Sequence, residues 1–240
     1  MRFVLLASVL TLVACQQAPS DPEPPPEADP RAAAASESPA MPDQPAPADS
    51  DSVTVVFFGD SLTAGYGLET PQLAYPALVG EELTESGVPV QVVNAGVSGE
   101  TTAGGRSRIA WTLRNATPDV FVLALGANDG LRGVDPAATE ANLRAILDAV
   151  REAAPDAGLV VAGMEALPNY GADYTDRFRE VFPSVAQDYG ATLIPFLLDG
   201  VAGVARLNQA DGIHPTPEGQ EIIAEIVAEA VTPLATAAAG

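Results

Sequence analysis

The chain of 240 residues sets 32 acids against 11 basic residues, all of them arginine, and holds one histidine and one cysteine. Without lysine, Schiff-base and lysine-base chemistry are excluded, and a lone cysteine excludes a disulfide within the chain. A net charge of −21 leaves no basic stripe for a phosphate backbone, so nucleic acid is not a partner and the acidity reads as solvation.

Met1-Arg2 and the apolar run Phe3 to Ala14 have the charged start and short hydrophobic core of a secretory signal, too short to span a bilayer. The run closes on Leu12-Val13-Ala14-Cys15, which resembles a bacterial lipobox. That resemblance implies a signal over residues 1–15, with Cys15 becoming a lipidated N-terminus anchored in a membrane. Gln16 after the cysteine resembles outer-membrane sorting, with the protein facing the periplasm. Residues 16–52 contain ten of the 22 prolines and eight acids against Arg31, with almost no large apolar side chain. Such a segment buries too little surface to offset its ordering entropy, and it reads as a self-repelling, disordered tether.

Residues 53–235 suffice for one domain with a sizeable core, followed by a tail at 236–240. Apolar runs at 53–58, 90–93, 120–124, 159–162 and 192–196 read as buried strands. Helical periodicity covers 74–86, 102–115, 136–153, 174–189 and 217–230. Pro136 after Asp135 and Pro217 after Thr216 sit one step inside an N-cap, where a helix tolerates proline. Strands alternating with helices pair in parallel through right-handed crossovers, so the expected fold is an α/β/α sandwich around a five-stranded parallel sheet. Ligands in such sheets bind beyond the carboxyl ends of the strands. No internal repeat is present.

Histidine is the side-chain type that changes charge near neutral pH, which makes His214 the candidate acid-base group. Asp211, three residues before it in Asp211-Gly212-Ile213-His214-Pro215, could orient the ring for proton transfer from a nucleophile. Three more segments fall just after expected strands: Gly59-Asp60-Ser61-Leu62, Gly96-Val97-Ser98-Gly99, and Gly126-Ala127-Asn128-Asp129. All four therefore converge on one rim. A single histidine gives no catalytic metal enough ligands, and no cofactor is expected. Gly-x-Ser-x-Gly is absent, which argues against a nucleophile elbow.

These blocks, in this order, resemble the SGNH (GDSL) hydrolase family, whose fold is flavodoxin-like. The stretches Gly59–Gly67 and Gly126–Gly133, with Leu167-Pro168-Asn169-Tyr170-Gly171, resemble its thioesterase I/lysophospholipase branch. The resemblance implies Ser61 as nucleophile, His214 as base and Asp211 as its orienting carboxylate. It also implies an oxyanion hole of the backbone N–H of Ser61, the backbone N–H of Gly99 and the amide of Asn128. Tyr66, Leu68, Leu167, Pro168 and Tyr170 are expected to line an acyl groove. Asp60 and Asp129 rank as structural, and Trp111 is expected to face the core. Each motif also has a plainer role as helix cap or turn. The implied substrates are small acyl esters: short-chain or aryl esters, lysophospholipids, and thioesters as a latent capacity. A monomer is expected, though nothing in the residues fixes the oligomeric state. Two alternatives stay open, a carbohydrate O-deacetylase and a non-catalytic acyl-binding lipoprotein.

Overall fold

The computed structural model describes residues 52–240, so the signal, Cys15 and the tether lie outside the described residues. Strands β1 (Val53–Gly59), β2 (Val90–Gly96), β3 (Val120–Ala124), β4 (Gly158–Ala162) and β5 (Thr192–Ile194) form one parallel sheet ordered β2-β1-β3-β4-β5. β1 is central, pairing Val53 with Val90 on one side and Val55 with Val120 on the other. Every residue of β1 and β3 is buried. That is why both read as continuous apolar runs with no alternation.

Helices α2 (Tyr75–Glu85) and α7 (Pro217–Ala239) pack together over one face of the sheet. Helices α3 (Thr102–Asn115), α5 (Pro136–Ala153) and α6 (Ala172–Tyr189) pack in series over the other. Phe57, Phe58, Phe121, Phe178 and Phe182 fill the interior between these layers. Two short helices, α1 (Ser61–Ala64) and α4 (Ala127–Arg132), cap the carboxyl ends of β1 and β3. Strand order reverses between those two strands, which opens a crevice at that end of the sheet.

Two element ends differ from the sequence expectation. β5 stops at Ile194, because Pro195 has no N–H to continue the ladder. α7 runs on through Pro233 to Ala239, so the tail expected at 236–240 is helical almost to its end. Val227, Val231 and Ala235 continue one buried face past the proline, and packing outweighs the local cost. α7 is also long and apolar enough to cross a membrane. Its Ile223, Val227 and Val231 are buried against the domain while Glu221, Glu225 and Glu229 face outward, the pattern of a covering helix.

Trp111 is a correction. It stands 47% exposed on the outer side of α3, because the buried positions of that helix are Thr102, Gly105, Ile109 and Thr112.

Candidate active site

β1 ends at Gly59, and the chain turns at once into α1. A Cβ at position 59 would lie 2.0 Å from Thr63 Oγ1 and 2.8 Å from the carbonyl of Ala124, so only glycine lets α1 fold back this closely. Asp60 caps α1 by accepting from the N–H of Leu62 at 3.0 Å. The next residue, Ser61, thereby projects from the first turn at the carboxyl end of the sheet. A buried polar chain fixes the helix from behind. The hydroxyls of Thr63 and Tyr75 meet at 2.7 Å, the Tyr75 N–H donates to Gln220 Oε1 at 2.9 Å, and Gln220 Nε2 donates to the Leu62 carbonyl. Burial pushes the Tyr75 phenol well above its ordinary range, so it stays neutral.

Ser61 Oγ lies 3.0 Å from His214 Nε2, and His214 Nδ1 lies 2.7 Å from Asp211 Oδ2. Asp211 Oδ1 also accepts from the backbone N–H of Ile213 at 2.9 Å and of His214 at 3.1 Å. The imidazole contact, followed by those two amides, holds the Asp211 carboxyl far below the usual carboxylate range, so it stays ionised and acceptor-only. The ring of Tyr66 covers one side of the imidazole at a centroid distance of 4.5 Å.

The loop that bears His214 is tied to the segment that bears Ser61 by a residue absent from the sequence expectations. Gln209 Nε2 donates to the carbonyl of Tyr66 at 2.7 Å and of Pro215 at 3.0 Å, while its own N–H donates to the His214 carbonyl at 2.7 Å. Its position two residues before Asp211 was the available signal, but a glutamine in a loop has no distinctive spacing.

Gly99 follows β2 in a turn with φ of +77°, a backbone region that other residues rarely enter. Among the described residues, no acceptor takes the N–H of Ser61 or of Gly99. The turn is gripped from both sides. Arg132 donates to the Gly99 carbonyl at 3.0 Å. The neighbouring Glu100 carboxylate accepts from Arg108 Nε at 2.7 and 2.8 Å, and from its Nη2 at 2.5 Å. Arg108 in turn reaches the carbonyls of Ala95 at 2.8 Å and Gly59 at 3.3 Å, with its guanidinium 3.9 Å over the ring of Phe58. One planar fork thus fixes the ends of β1 and β2 and the turn beyond them. Sequence reasoning missed Glu100 and Arg108, whose eight-residue spacing spans a loop-to-helix boundary.

Asn128, in the first turn of α4, donates to Asp60 Oδ2 at 3.3 Å. That contact orients the amide and leaves its second N–H for a ligand in the cavity Asn128 lines. Asp60 and Asp129 are therefore braces. Asp129 accepts from the Thr102 N–H at 2.8 Å, the Thr102 hydroxyl at 2.5 Å and the Thr139 hydroxyl at 3.2 Å, and so pins the start of α3 against α4 and α5.

A cavity of about 640 Å³ opens over these groups. Ser61, Gly99, Asn128 and His214 line it together with apolar side chains, among them Leu131, Met164, Phe196, Leu198 and Ile213. Of the residues expected to line a groove, Tyr66 and Leu167 do so, and Leu68, Pro168 and Tyr170 do not. Leu68 lies against Gly65 beside Ala74. Pro168–Tyr170 form a surface 3-10 turn whose Tyr170 hydroxyl donates to the Leu131 carbonyl at 3.0 Å, bracing α4 from outside.

A hydroxyl, an imidazole and a carboxylate in line, at a cavity that Gly99 and Asn128 also line, have the geometry of a serine hydrolase, here on a doubly wound sheet without a nucleophile elbow. The GDSL-like Lipase/Acylhydrolase family profile matches residues 57–222. The chain belongs to that family and is a carboxylic ester hydrolase. It is 40% identical to Esterase TesA of Pseudomonas aeruginosa over 181 residues, 75% of this chain and 89% of that protein. It is 37% identical over 175 residues to the Arylesterase of Vibrio mimicus (73% and 86% covered). Over 181 residues it is 36% identical to Thioesterase 1/protease 1/lysophospholipase L1 of Escherichia coli (75% and 84% covered). The solved crystal structure of TesA superposes with a TM-score of 0.71 at 38% identity, covering 75% of this chain and 99% of that one.

Burial of the Asp60 carboxyl raises its pKa from 3.8 to about 6, against the opposing pull of its hydrogen bonds to Leu62 and Asn128. The folded state therefore holds this proton more tightly than the unfolded chain does. Its contribution to stability is complete below pH 4 and is lost as pH rises to about 6. Urea unfolding of wild type and Asp60→Asn at pH 4, 5, 6 and 7 should show wild type losing roughly 3 kcal/mol relative to the variant across that window. Parallel curves would show that Asp60 titrates normally.

Proposed function

We propose that the chain hydrolyses acyl esters through a covalent acyl-enzyme on Ser61. His214 Nε2 takes the Ser61 proton as Oγ attacks the ester carbonyl, and Asp211 holds the ring and stabilises the imidazolium. The tetrahedral oxyanion is received by the N–H of Ser61, the N–H of Gly99 and the free N–H of Asn128. Donors of this kind are each worth about two to three decades in rate, because charge develops where fixed dipoles already point. His214 then delivers the proton to the leaving alkoxide. In the second half, water loses a proton to His214 and attacks the acyl carbonyl; the acyl–Oγ bond then breaks, His214 returns the proton to Ser61 Oγ, and the acid is freed. The observation that carries this reading is the unbroken contact from Ser61 Oγ through His214 to Asp211, at 3.0 and 2.7 Å.

The cavity's walls favour an apolar acyl or aryl group, and relatives named esterase, arylesterase and lysophospholipase support short-chain, aryl and lysophospholipid esters as the range. The lipobox-like Leu12-Val13-Ala14-Cys15 supports a lipid-anchored protein on the periplasmic side of an outer membrane, away from cytoplasmic acyl-CoA. Thioesters are then a capacity of the site and not its task.

A p-nitrophenyl ester series from acetate to palmitate should be hydrolysed by wild type and fall to background with Ser61→Ala, with the profile of kcat/KM over chain length fixing the acyl preference. Equal background rates in both proteins would overturn the proposal. Labelled palmitate should enter the wild-type chain expressed in a two-membrane bacterium and not Cys15→Ala. Equal labelling of both would refute the anchor.

A further inference from the structure

Eight large hydrophobic side chains are exposed among the described residues, and they are not scattered. Tyr66, Leu131, Leu167 and Ile213 line the catalytic cavity, and Val97 and Val204 each adjoin a residue that does. The seventh, Tyr170, is bonded to the carbonyl of Leu131. Only Trp111, out on α3, stands apart. A solvent-exposed apolar ring of this kind is costly on a free surface and marks a contact site.

Three charged neighbours of the ring have hydrogen-bond partners. Glu165 pairs with Arg179 at 3.1 Å, Asp211 with His214 at 2.7 Å, and Arg132 is turned onto the Gly99 carbonyl at 3.0 Å. From these observations we infer that the rim of the active-site cavity docks on a neutral or zwitterionic lipid surface, from which the acyl ester enters the cavity.

Charge selects this occupant over others. At −21 per chain, a second copy is repelled, and so is a membrane rich in anionic lipid. A zwitterionic surface carries no such penalty. The chain outside the described residues is compatible with the orientation. β1 enters the sheet at Val53, at the end opposite the rim. The 37 residues from 16 to 52 span up to about 125 Å when extended. A domain of this size is about 40 Å across. A chain held by its N-terminus can therefore turn its far end back onto the same membrane.

The inference rests on the esterase reading for what enters the cavity, but its test does not. The chain from Gln16 to Gly240, which keeps every described residue and carries no anchor, is floated with dioleoylphosphatidylcholine vesicles beside Val97→Asp/Val204→Asp and Trp111→Ala. Wild type and Trp111→Ala should float together, and the double variant should partition at least tenfold less. Hydrolysis of monomeric p-nitrophenyl acetate by the double variant should stay within twofold of wild type, which also shows that it is folded. Wild type that stays at the bottom of the gradient, or a double variant that floats equally, would overturn the docking. Concentration-dependent dimerisation in sedimentation, lost in the double variant with no vesicle binding, would assign the rim to a second copy instead. Flotation without any acetate hydrolysis would leave the rim standing and remove the esterase reading.

Discussion

The site depends on a single contact between side chains 153 residues apart, Ser61 Oγ and His214 Nε2 at 3.0 Å. Nothing local brings them together. Each follows its own element to the carboxyl end of a parallel sheet. β1 delivers Ser61 because Gly59 allows α1 to fold back under it. His214 arrives on the loop before α7, where Gln209 clips that loop to Tyr66, five residues beyond the serine. The two supports differ in kind. One is a backbone approach that no side chain would survive, and the other is an amide that spans two carbonyls.

The oxyanion donors obey the same logic with a different fixture. Gly99 and Asn128 sit on separate elements, and each is held by groups that never touch a substrate. Arg108 ties Glu100, Ala95 and Gly59 into one unit, while Asp60 joins the start of α1 to the amide of Asn128. A donor aimed in advance costs nothing to reorganise during the reaction. Asp60 is the more exposed to failure of the two supports. Its burial makes the charged form expensive, yet the charged form is the stronger acceptor for the Leu62 N–H and the Asn128 amide.

Much of this was legible in the sequence. The five strands and five long helices follow from apolar runs and helical period, and the chemistry-bearing residues stand directly after strands. The boundary errors have physical causes, a proline that ends β5 and a buried face that carries α7 through Pro233. What could not be read were contacts between distant residues of ordinary type. Gln209, Gln220, Glu100 and Arg108 have no motif, since Gln209, Gln220 and Arg108 reach backbone groups that any sequence supplies and Glu100 meets Arg108 across a loop-to-helix boundary. The cavity walls were half legible for the same reason. Tyr66 and Leu167 line it, but Pro168 and Tyr170 belong to a 3-10 turn that rotates them onto the outer side of α4, and Met164 and Phe196 carry no sign of their position. Trp111 was misplaced because the face of α3 is set by small residues such as Gly105 and Thr112, which periodicity in large apolar residues does not detect.

The central claim, that Ser61 is the nucleophile driven by His214, is tested most directly by trapping it. A p-nitrophenyl alkylphosphonate should release one equivalent of nitrophenolate per chain, and peptide mass mapping should place the single phosphonyl adduct on Ser61. The same reagent should leave His214→Ala essentially unmodified over that time. An adduct on any other residue, or an unchanged rate of labelling without His214, would contradict the account.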